Sequence, residues 1–293
     1  GSNLGKYMMD QRMYRMEENM AKLWIGCVAW GLPGGGYFAP EIAKKAGLDG
    51  IQLELGSYQW GYPLAQKEVM EGYLEAGKRL NIQYPAIVLN DVMEHEFIHG
   101  KSTEHGKIAY DQMELAVETA AAMKVEKIMV PNFLENLITE EIHIEHTKEA
   151  LEFICKKAEK KGITILTENA LPWQRQVELL EEIGCDNLKI HFDTQNFKFN
   201  FAMDQCDQLR GLLPYMDNQL HVKDGIGEPG GCLLGEGNTD FFAQMEILRE
   251  NQFSGWIVIE NYYNLLPLRK QGAGGKAMHL LERDIAAIKS CFS

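Results

Sequence analysis

Three carboxylates and one imidazole fall near the ends of four successive apolar segments of this 293-residue chain: Glu168, Asp193, His221 and Glu260. The segments are ITILTEN (163–169), LKIHFDT (188–194), QLHVKD (219–224) and WIVIEN (256–261). Carboxylates and imidazoles bind divalent cations and exchange protons with substrates. Whether these four residues act together depends on whether the fold brings the segment ends to one place.

Side-chain alternation along the segments places the four residues on equivalent faces, because successive residues of a strand point to opposite sides. In LKIHFDT, the apolar face consists of Leu188, Ile190 and Phe192, so His191 and Asp193 fall on the opposite face. The same alternation puts the other three candidate residues on the inward face of their own segments. We therefore expect the four side chains to point toward a common interior.

Three carboxylates in an apolar interior would repel one another, and burial of any single unpaired charge is costly. One divalent cation would resolve this conflict, and oxygen donors with one imidazole suit Mn²⁺, Mg²⁺, Co²⁺ or Zn²⁺. The absence of a thiolate from the set argues against a structural zinc site. The alternative is that the acids cap helices or pair with Lys189 and Lys223. We favour the cation because four such residues recur at equivalent positions.

Eight short apolar segments alternate with helical patterns along the chain, which is typical of a parallel sheet with helical crossovers. The strand segments are 23–30, 50–55, 82–89, 126–131, 163–169, 188–194, 219–224 and 256–261. The clearest helical segments are 67–80, 110–124, 139–162, 172–184, 240–252 and 277–290. Eight such units close a (β/α)₈ barrel, in which catalytic residues collect at the C-terminal mouth of the strands.

A doubly wound sheet would fit the early units equally well, but no G-x-G-x-x-G motif follows a strand. We predict a single (β/α)₈ TIM barrel, an α/β fold, over residues 23–293. A short helical N-terminal extension over residues 1–22 is predicted to precede it.

The composition limits the partners. The formal net charge is −13 and no Lys/Arg-rich run is present, which argues against nucleic-acid binding. No apolar run reaches the length of a membrane span. The six scattered cysteines lack a C-x-x-C pair and indicate reduced thiols. We expect a cytoplasmic protein with a small-molecule, carbohydrate-like substrate, and a homo-oligomer remains open.

Five motifs resemble those of the xylose isomerase-like TIM barrels: TEN (167–169), FDTQN (192–196), HVKD (221–224), LGEGNTDF (234–241) and VIEN (258–261). This superfamily includes inosose dehydratase, inosose isomerase, hydroxypyruvate isomerase, ketose 3-epimerases and the type IV AP endonucleases. The most specific feature is HVKD followed by G-x-G-x-x-D-F. The resemblance implies that Glu168, Asp193, His221 and Glu260 bind one divalent metal ion.

The resemblance also implies a metal-dependent isomerase or epimerase of a sugar, polyol or related hydroxy-ketone, acting through a metal-stabilised enediolate. Glu168 and Glu260 would then be the catalytic residues that exchange protons with the substrate. A dehydratase or other lyase on an inosose-like or ketosugar substrate is the first alternative, and a non-catalytic barrel subunit is the second.

One position departs from the pattern of these relatives. Many of them have a histidine three residues after the aspartate of the sixth strand, where this chain has Asn196. An asparagine can hydrogen-bond a substrate hydroxyl but cannot transfer a proton. The substitution disfavours a ketose epimerase and a multi-zinc nuclease.

Further residues are predicted to bind substrate: Trp30, Glu54, Asn196 and Lys223. Trp30 would stack on a sugar face or form an apolar rim. Glu54, inward on the second strand, would bind a hydroxyl or pair with a lysine. Lys223 would stabilise an enolate or neutralise Asp193.

Three more histidines lie near the predicted strand ends. His191 is predicted to be a core histidine or to orient a metal ligand, rather than to be a ligand itself. His95 and His99 lie in a loop after the third strand, and we place them outside the site.

Overall fold

Eight parallel strands close into a barrel in chain order, each paired with the next and the eighth with the first. The computed structural model describes residues 22–293, so almost all of the predicted N-terminal extension lies outside the described residues. The strands are β1 (Leu23–Val28), β2 (Gly50–Glu54), β3 (Ile87–Val88), β4 (Lys127–Pro131), β5 (Thr164–Glu168), β6 (Leu188–Asp193), β7 (Met216–Val222) and β8 (Gly255–Ile259). The predicted (β/α)₈ barrel is confirmed.

Helices cross over between the strands. Within residues 22–293 they are α1 (Ala39–Ala46), α2 (Lys67–Leu80), α3 (Glu104–Met123), α4 (Glu141–Glu159), α5 (Trp173–Ile183), α6 (Asn196–Phe201), α7 (Gln205–Leu212), α8 (Phe241–Glu250) and α9 (Ala277–Phe292). Helix α3 begins six residues before the predicted segment, because the Thr103 side chain accepts a hydrogen bond from the Gly106 amide and caps the helix there. Among these helices, none is long and apolar enough to cross a membrane.

The third strand is much shorter than the segment 82–89 predicted from its apolar residues. Only Ile87 and Val88 form β3, and Gln83 makes an isolated bridge to Gly50. Pro85 separates these two pieces, and a proline has no amide proton to donate to a neighbouring strand. The first strand also ends early, at Val28, where a short 3₁₀ turn begins.

Apolar residues pack on both sides of the barrel wall. The outward-facing residues of β6 (Leu188, Ile190 and Phe192) join the large core between the strands and helices. Inside the barrel are two small clusters, Val28 with Trp256 and Val258, and Val88 with Met129 and Leu166, and Trp30 packs against both. The inward and outward faces therefore alternate as the sequence pattern predicted.

Asp284 on α9 is a buried carboxyl that connects this helix to the loops after β7 and β8. Its Oδ1 accepts a hydrogen bond from the Leu234 amide at 2.9 Å, and its Oδ2 accepts from Asn261 Nδ2 at 2.8 Å and from the Tyr263 hydroxyl. Burial raises the pKa of Asp284 from 3.8 to about 6, although the three donors act in the opposite direction.

We expect Asp284 to lower the free energy of unfolding by about 2 kcal/mol as the pH rises from about 4 to about 6. The native pKa exceeds the unfolded one, so the native state binds the proton more tightly and loses this advantage above the native pKa. Urea unfolding of the wild type and of Asp284→Asn, measured across this range, isolates the effect. A constant difference between the two proteins at every pH would contradict the prediction.

Candidate metal centre and active site

The four residues selected by alternation converge at the C-terminal mouth of the barrel. Glu168 and Asp193 end β5 and β6, His221 is next to last in β7, and Glu260 directly follows β8. All four side chains are buried. His221 Nδ1 lies 3.2 Å from Glu168 Oε2, 3.3 Å from Glu260 Oε2 and 3.9 Å from Asp193 Oδ2. Three carboxylates therefore surround one ring nitrogen.

Asp193, His221 and Glu260 can each offer one donor atom to a shared divalent cation, and Glu168 forms a second such group with His221 and His191. His221 Nδ1 is buried and has no hydrogen-bond partner, so the lone pair of the neutral ring would be available to an ion. Donor atoms that lie about 2.1 Å from one ion are about 3.0 to 3.4 Å from one another, from the geometry of octahedral and tetrahedral shells. The distances from Nδ1 to Glu168 and Glu260 match this spacing, and the Asp193 oxygen is about half an ångström farther.

Lys223 sets the charge of the centre. Its Nζ donates hydrogen bonds to Asp193 Oδ2 at 2.7 Å and to Glu260 Oε1 at 2.8 Å. Burial alone would lower the pKa of Lys223, but the two carboxylates outweigh it and hold the pKa well above its ordinary value. Three carboxylates and one ammonium leave two negative charges, which one divalent cation balances. Lys189, the other lysine considered as a partner, is exposed.

The carboxylates and histidines shift one another's pKa values. Burial raises the pKa of Glu168, but the neighbouring His221 and His191 outweigh it and lower the pKa below its usual range. Burial lowers the pKa of His221, yet the surrounding Glu260, Glu168 and Asp193 raise it to about 8. The pKa of His191 is lowered, first by burial and then by His221. Glu168 is consequently an anion, and His191 a neutral ring, at neutral pH.

A cavity of about 280 Å³ opens above this centre. It is lined by Trp30, Asn90, Met93, Met129, Pro131, Phe133, Leu134, Glu168, Asn196, Phe199, Asn200, Lys223, Pro229, Glu260 and Tyr262. Both proposed proton-exchanging residues, Glu168 and Glu260, reach the cavity, whereas Asp193 and His221 do not line it. Of the predicted substrate-binding residues, Trp30, Asn196 and Lys223 line the cavity.

Glu54 is the predicted substrate-binding residue that the structure does not place in the cavity lining. Its Oε2 accepts a hydrogen bond from Asn90 Nδ2 at 2.8 Å, so its partner is an amide rather than the lysine considered from the sequence. Asn90 lines the cavity in its place and was not among the predicted residues. Asn90 follows β3 almost directly, and position after a strand end was the signal that could have identified it.

The loop histidines lie outside the cavity lining, and His191 lies beneath the centre. His95 Nδ1 is 2.8 Å from Asp91 Oδ2, and its ring packs edge-on against Tyr58. His191 Nδ1 is 2.6 Å from Glu168 Oε2, so this histidine contacts a proposed ligand. His191 therefore lies next to the centre and the two loop histidines do not, which is the distinction drawn between them from the sequence.

The glycine-rich segment after β7 forms part of the rim of the cavity. The Asp224 carboxylate binds several residues of this segment. Its Oδ2 accepts hydrogen bonds from the Gly235 and Gly237 amides at 2.9 and 3.1 Å, and its Oδ1 accepts one from the Thr239 hydroxyl at 2.9 Å. Gln195 holds the other side of the segment through the carbonyl of Glu228. The rim is therefore held in a defined conformation by its own hydrogen bonds.

Gly237 is a position where this rim has no room for a side chain. A Cβ there would lie 2.0 Å from Asp224 Oδ1, so the loop would have to move. We expect Gly237→Ala to lower the free energy of unfolding by about 1 to 3 kcal/mol and to increase proteolysis within the segment. Gly275→Ala is the control, because nothing lies within 4 Å of its added Cβ. Equal stabilities of the two variants in urea would contradict this account of the rim.

A parallel barrel with carboxylates and a histidine buried at its C-terminal mouth has the architecture of a (β/α)₈ enzyme. The chain belongs to the xylose isomerase-like TIM barrel family, whose model matches residues 40–289. The resemblance noted from the motifs is thereby confirmed.

Two kinds of relatives accompany this match. The chain is 29% identical over 246 residues to 2-epi-5-epi-valiolone 7-phosphate 2-epimerase of Actinoplanes sp., covering 82% of this chain and 87% of that protein. The structure of D-psicose 3-epimerase from Clostridium cellulolyticum H10 aligns with a TM-score of 0.73 at 15% identity, over 92% of this chain and 99% of that one. A xylose isomerase domain protein from Planctomyces limnophilus aligns with a TM-score of 0.70 at 18% identity, over 93% and 99%. The two structural likenesses show the shared fold.

Proposed function

We propose that this protein is a divalent-cation-dependent epimerase or isomerase of hydroxy-ketone carbohydrates. The main support is that Glu168 and Glu260 both line one cavity and both lie within 3.3 Å of His221 Nδ1. Two carboxylates that share one small substrate volume can remove and return a proton. The names of the relatives support the same reaction class, since one is a cyclitol-phosphate 2-epimerase and another a ketose 3-epimerase.

The reaction requires removal of the hydrogen from a carbon that carries a hydroxyl and adjoins a ketone. A divalent cation in this centre would polarise the ketone and make that hydrogen more acidic. Glu168 accepts the proton as a carboxylate that faces the cavity. Glu260, which must first take up a proton from solvent, gives that proton to the opposite face of the same carbon and so inverts its configuration, while the proton on Glu168 is released to solvent. Return of a proton to the neighbouring carbon gives an isomer instead.

The other groups of the centre hold these two carboxylates in place. Asp193 accepts hydrogen bonds from the Gln195 and Asn196 amides at 2.7 and 2.9 Å and from Lys223. These three hydrogen bonds hold the Asp193 carboxylate in a fixed position. We therefore assign Asp193 to binding the ion and not to proton exchange. Lys223 donates a hydrogen bond to Oε1 of Glu260, and Oε2 of Glu260 faces His221.

The cavity walls favour an uncharged substrate. Among the described residues that line the cavity, the one cation is Lys223, and two carboxylates already engage it. Three amides, those of Asn90, Asn196 and Asn200, offer donors and acceptors that suit hydroxyl groups. Apolar side chains cover the remaining wall, as is usual for a small-molecule site. We infer that unphosphorylated ketoses or keto-cyclitols are better substrates than their phosphate esters.

Proton exchange with solvent tests this function directly. The protein is incubated in D₂O with Mn²⁺ or Co²⁺ and with ketoses or inososes, each with its phosphate ester where one exists, and NMR follows the products. Deuterium at a hydroxyl-bearing carbon, together with an epimer or isomer, is the expected result. Accumulation of a dehydrated product would identify a lyase, and the absence of exchange with every compound would reject the proposed function.

A further inference from the structure

A single buried amide lies beneath the centre and contacts both of its histidines. Gln52, inward on β2, is completely buried. Its Oε1 lies 2.6 Å from His221 Nε2, and its Nε2 lies 3.2 Å from His191 Nε2. The same Nε2 donates a hydrogen bond to Gln219 Oε1 at 2.9 Å. Both hydrogens and the oxygen of this amide therefore have partners.

The direction of these hydrogen bonds is fixed by a backbone carbonyl. The carbonyl of Pro85 can only accept, and Gln219 Nε2 donates to it at 3.1 Å. The amide of Gln219 is thus oriented with its oxygen toward Gln52, which must present its own nitrogen. The orientation of Gln52 therefore follows from this sequence of contacts.

The oriented amide dictates opposite tautomers for the two rings. Gln52 Nε2 donates its second hydrogen to His191 Nε2, so the proton of neutral His191 is on Nδ1, which donates to Glu168 Oε2 at 2.6 Å. Gln52 Oε1 accepts from His221 Nε2, so when His221 is neutral its lone pair is on Nδ1, among the three carboxylates. A side-chain amide suits both contacts, because its nitrogen donates to His191 while its oxygen accepts from His221.

We propose that Gln52 is a positioning residue that sets both tautomers, so that His221 presents a bare nitrogen to a divalent cation while His191 donates a hydrogen bond to Glu168. This inference rests on the proposed cation site. Residues that orient metal ligands in this manner contribute about 10- to 100-fold to metal affinity. Gln52 does not line the cavity, and it acts through the two rings.

Two substitutions separate the two contacts. Gln52→Met removes every hydrogen bond of the amide at similar volume. Gln52→Glu keeps an acceptor for His221 Nε2 but loses the donors to His191 and Gln219. Gln112→Met is the matched control, since Gln112 is equally buried and donates to Asp91 outside the cavity lining. Each protein is tested for Mn²⁺ and Co²⁺ affinity by chelator competition, and for the tautomers of the Zn²⁺-loaded form by ¹⁵N NMR of the histidine rings.

Gln52→Met is expected to weaken cation binding by about 10- to 100-fold and to leave both rings without a single preferred tautomer. Gln52→Glu is expected to keep the His221 tautomer and to move the His191 proton to Nε2. Gln112→Met should match the wild type in both measurements. If Gln52→Met proves unfolded in urea titrations, Gln52→Glu alone decides the question.

Unchanged tautomers in Gln52→Glu would overturn the inference. So would a folded Gln52→Met with wild-type affinity or with wild-type ring signals. Failure of the wild-type protein itself to bind Mn²⁺, Co²⁺ or Zn²⁺ would reject the proposed cation site, and with it both the function and this role of Gln52. The wild-type affinity thus separates failure of the function from failure of the inference.

Discussion

Glu168→Gln is expected to slow proton exchange by about 10³-fold at saturating Mn²⁺ while the protein remains folded. The amide oxygen can still face the centre, but it cannot take a proton from carbon. The substitution also removes one of the three carboxylate charges, so we expect weaker cation binding in addition. Rates measured at saturating Mn²⁺, together with a separate measurement of Mn²⁺ affinity, distinguish loss of the base from loss of a ligand.

Glu96→Gln is the matched control for this substitution. Glu96, like Glu168, is a carboxylate close to a histidine, with its Oε2 2.7 Å from His105 Nδ1, but it does not line the cavity. Its replacement is expected to leave exchange unchanged. If Glu168→Gln keeps the full rate of proton exchange at saturating cation, Glu168 is not the base. Its role would then be limited to binding the cation.

Removal of divalent cations is expected to abolish proton exchange and to destabilise the protein. A cation at 100 times its Kd stabilises the folded state by about 2.7 kcal/mol, so chelation should lower the thermal midpoint and Mn²⁺ or Co²⁺ should restore it. Without the ion, protonated His221 balances only one of the two negative charges left by the carboxylates and Lys223. Full exchange after exhaustive chelation would contradict the cation-dependent mechanism.

Cation binding is also expected to depend on pH through His221. Its pKa of about 8 in the cation-free protein means that the ring is protonated at neutral pH. A ligand nitrogen must be bare, so binding releases close to one proton near pH 7 and affinity rises about tenfold per pH unit until about pH 8, then levels off. Calorimetry in two buffers of different ionisation enthalpy measures the release, and zero release would contradict the assigned ligand.

The sequence determined the barrel and the identity of the four central residues. Alternation of period two identifies the inward face of each strand, and parallel strands all end at one mouth, so Glu168, Asp193, His221 and Glu260 could be grouped before their distances were known. The alternation is a local property of each segment, and the common mouth follows from the fold class. Neither requires knowledge of which residues are in contact.

Only the tertiary structure decided how these residues are held. Alternation does not give the height of a side chain along the barrel axis, and the register between β6 and β7 shifts near Ile190. The alignment of Gln52 with two histidines 139 and 169 residues away, and the placement of Lys223 between two carboxylates, depend on the registers of several strands around the barrel. Asn90, which follows β3, likewise lines the cavity in place of Glu54, to which it donates a hydrogen bond. Contacts between distant strands are set by packing of the whole barrel, and no single segment encodes them.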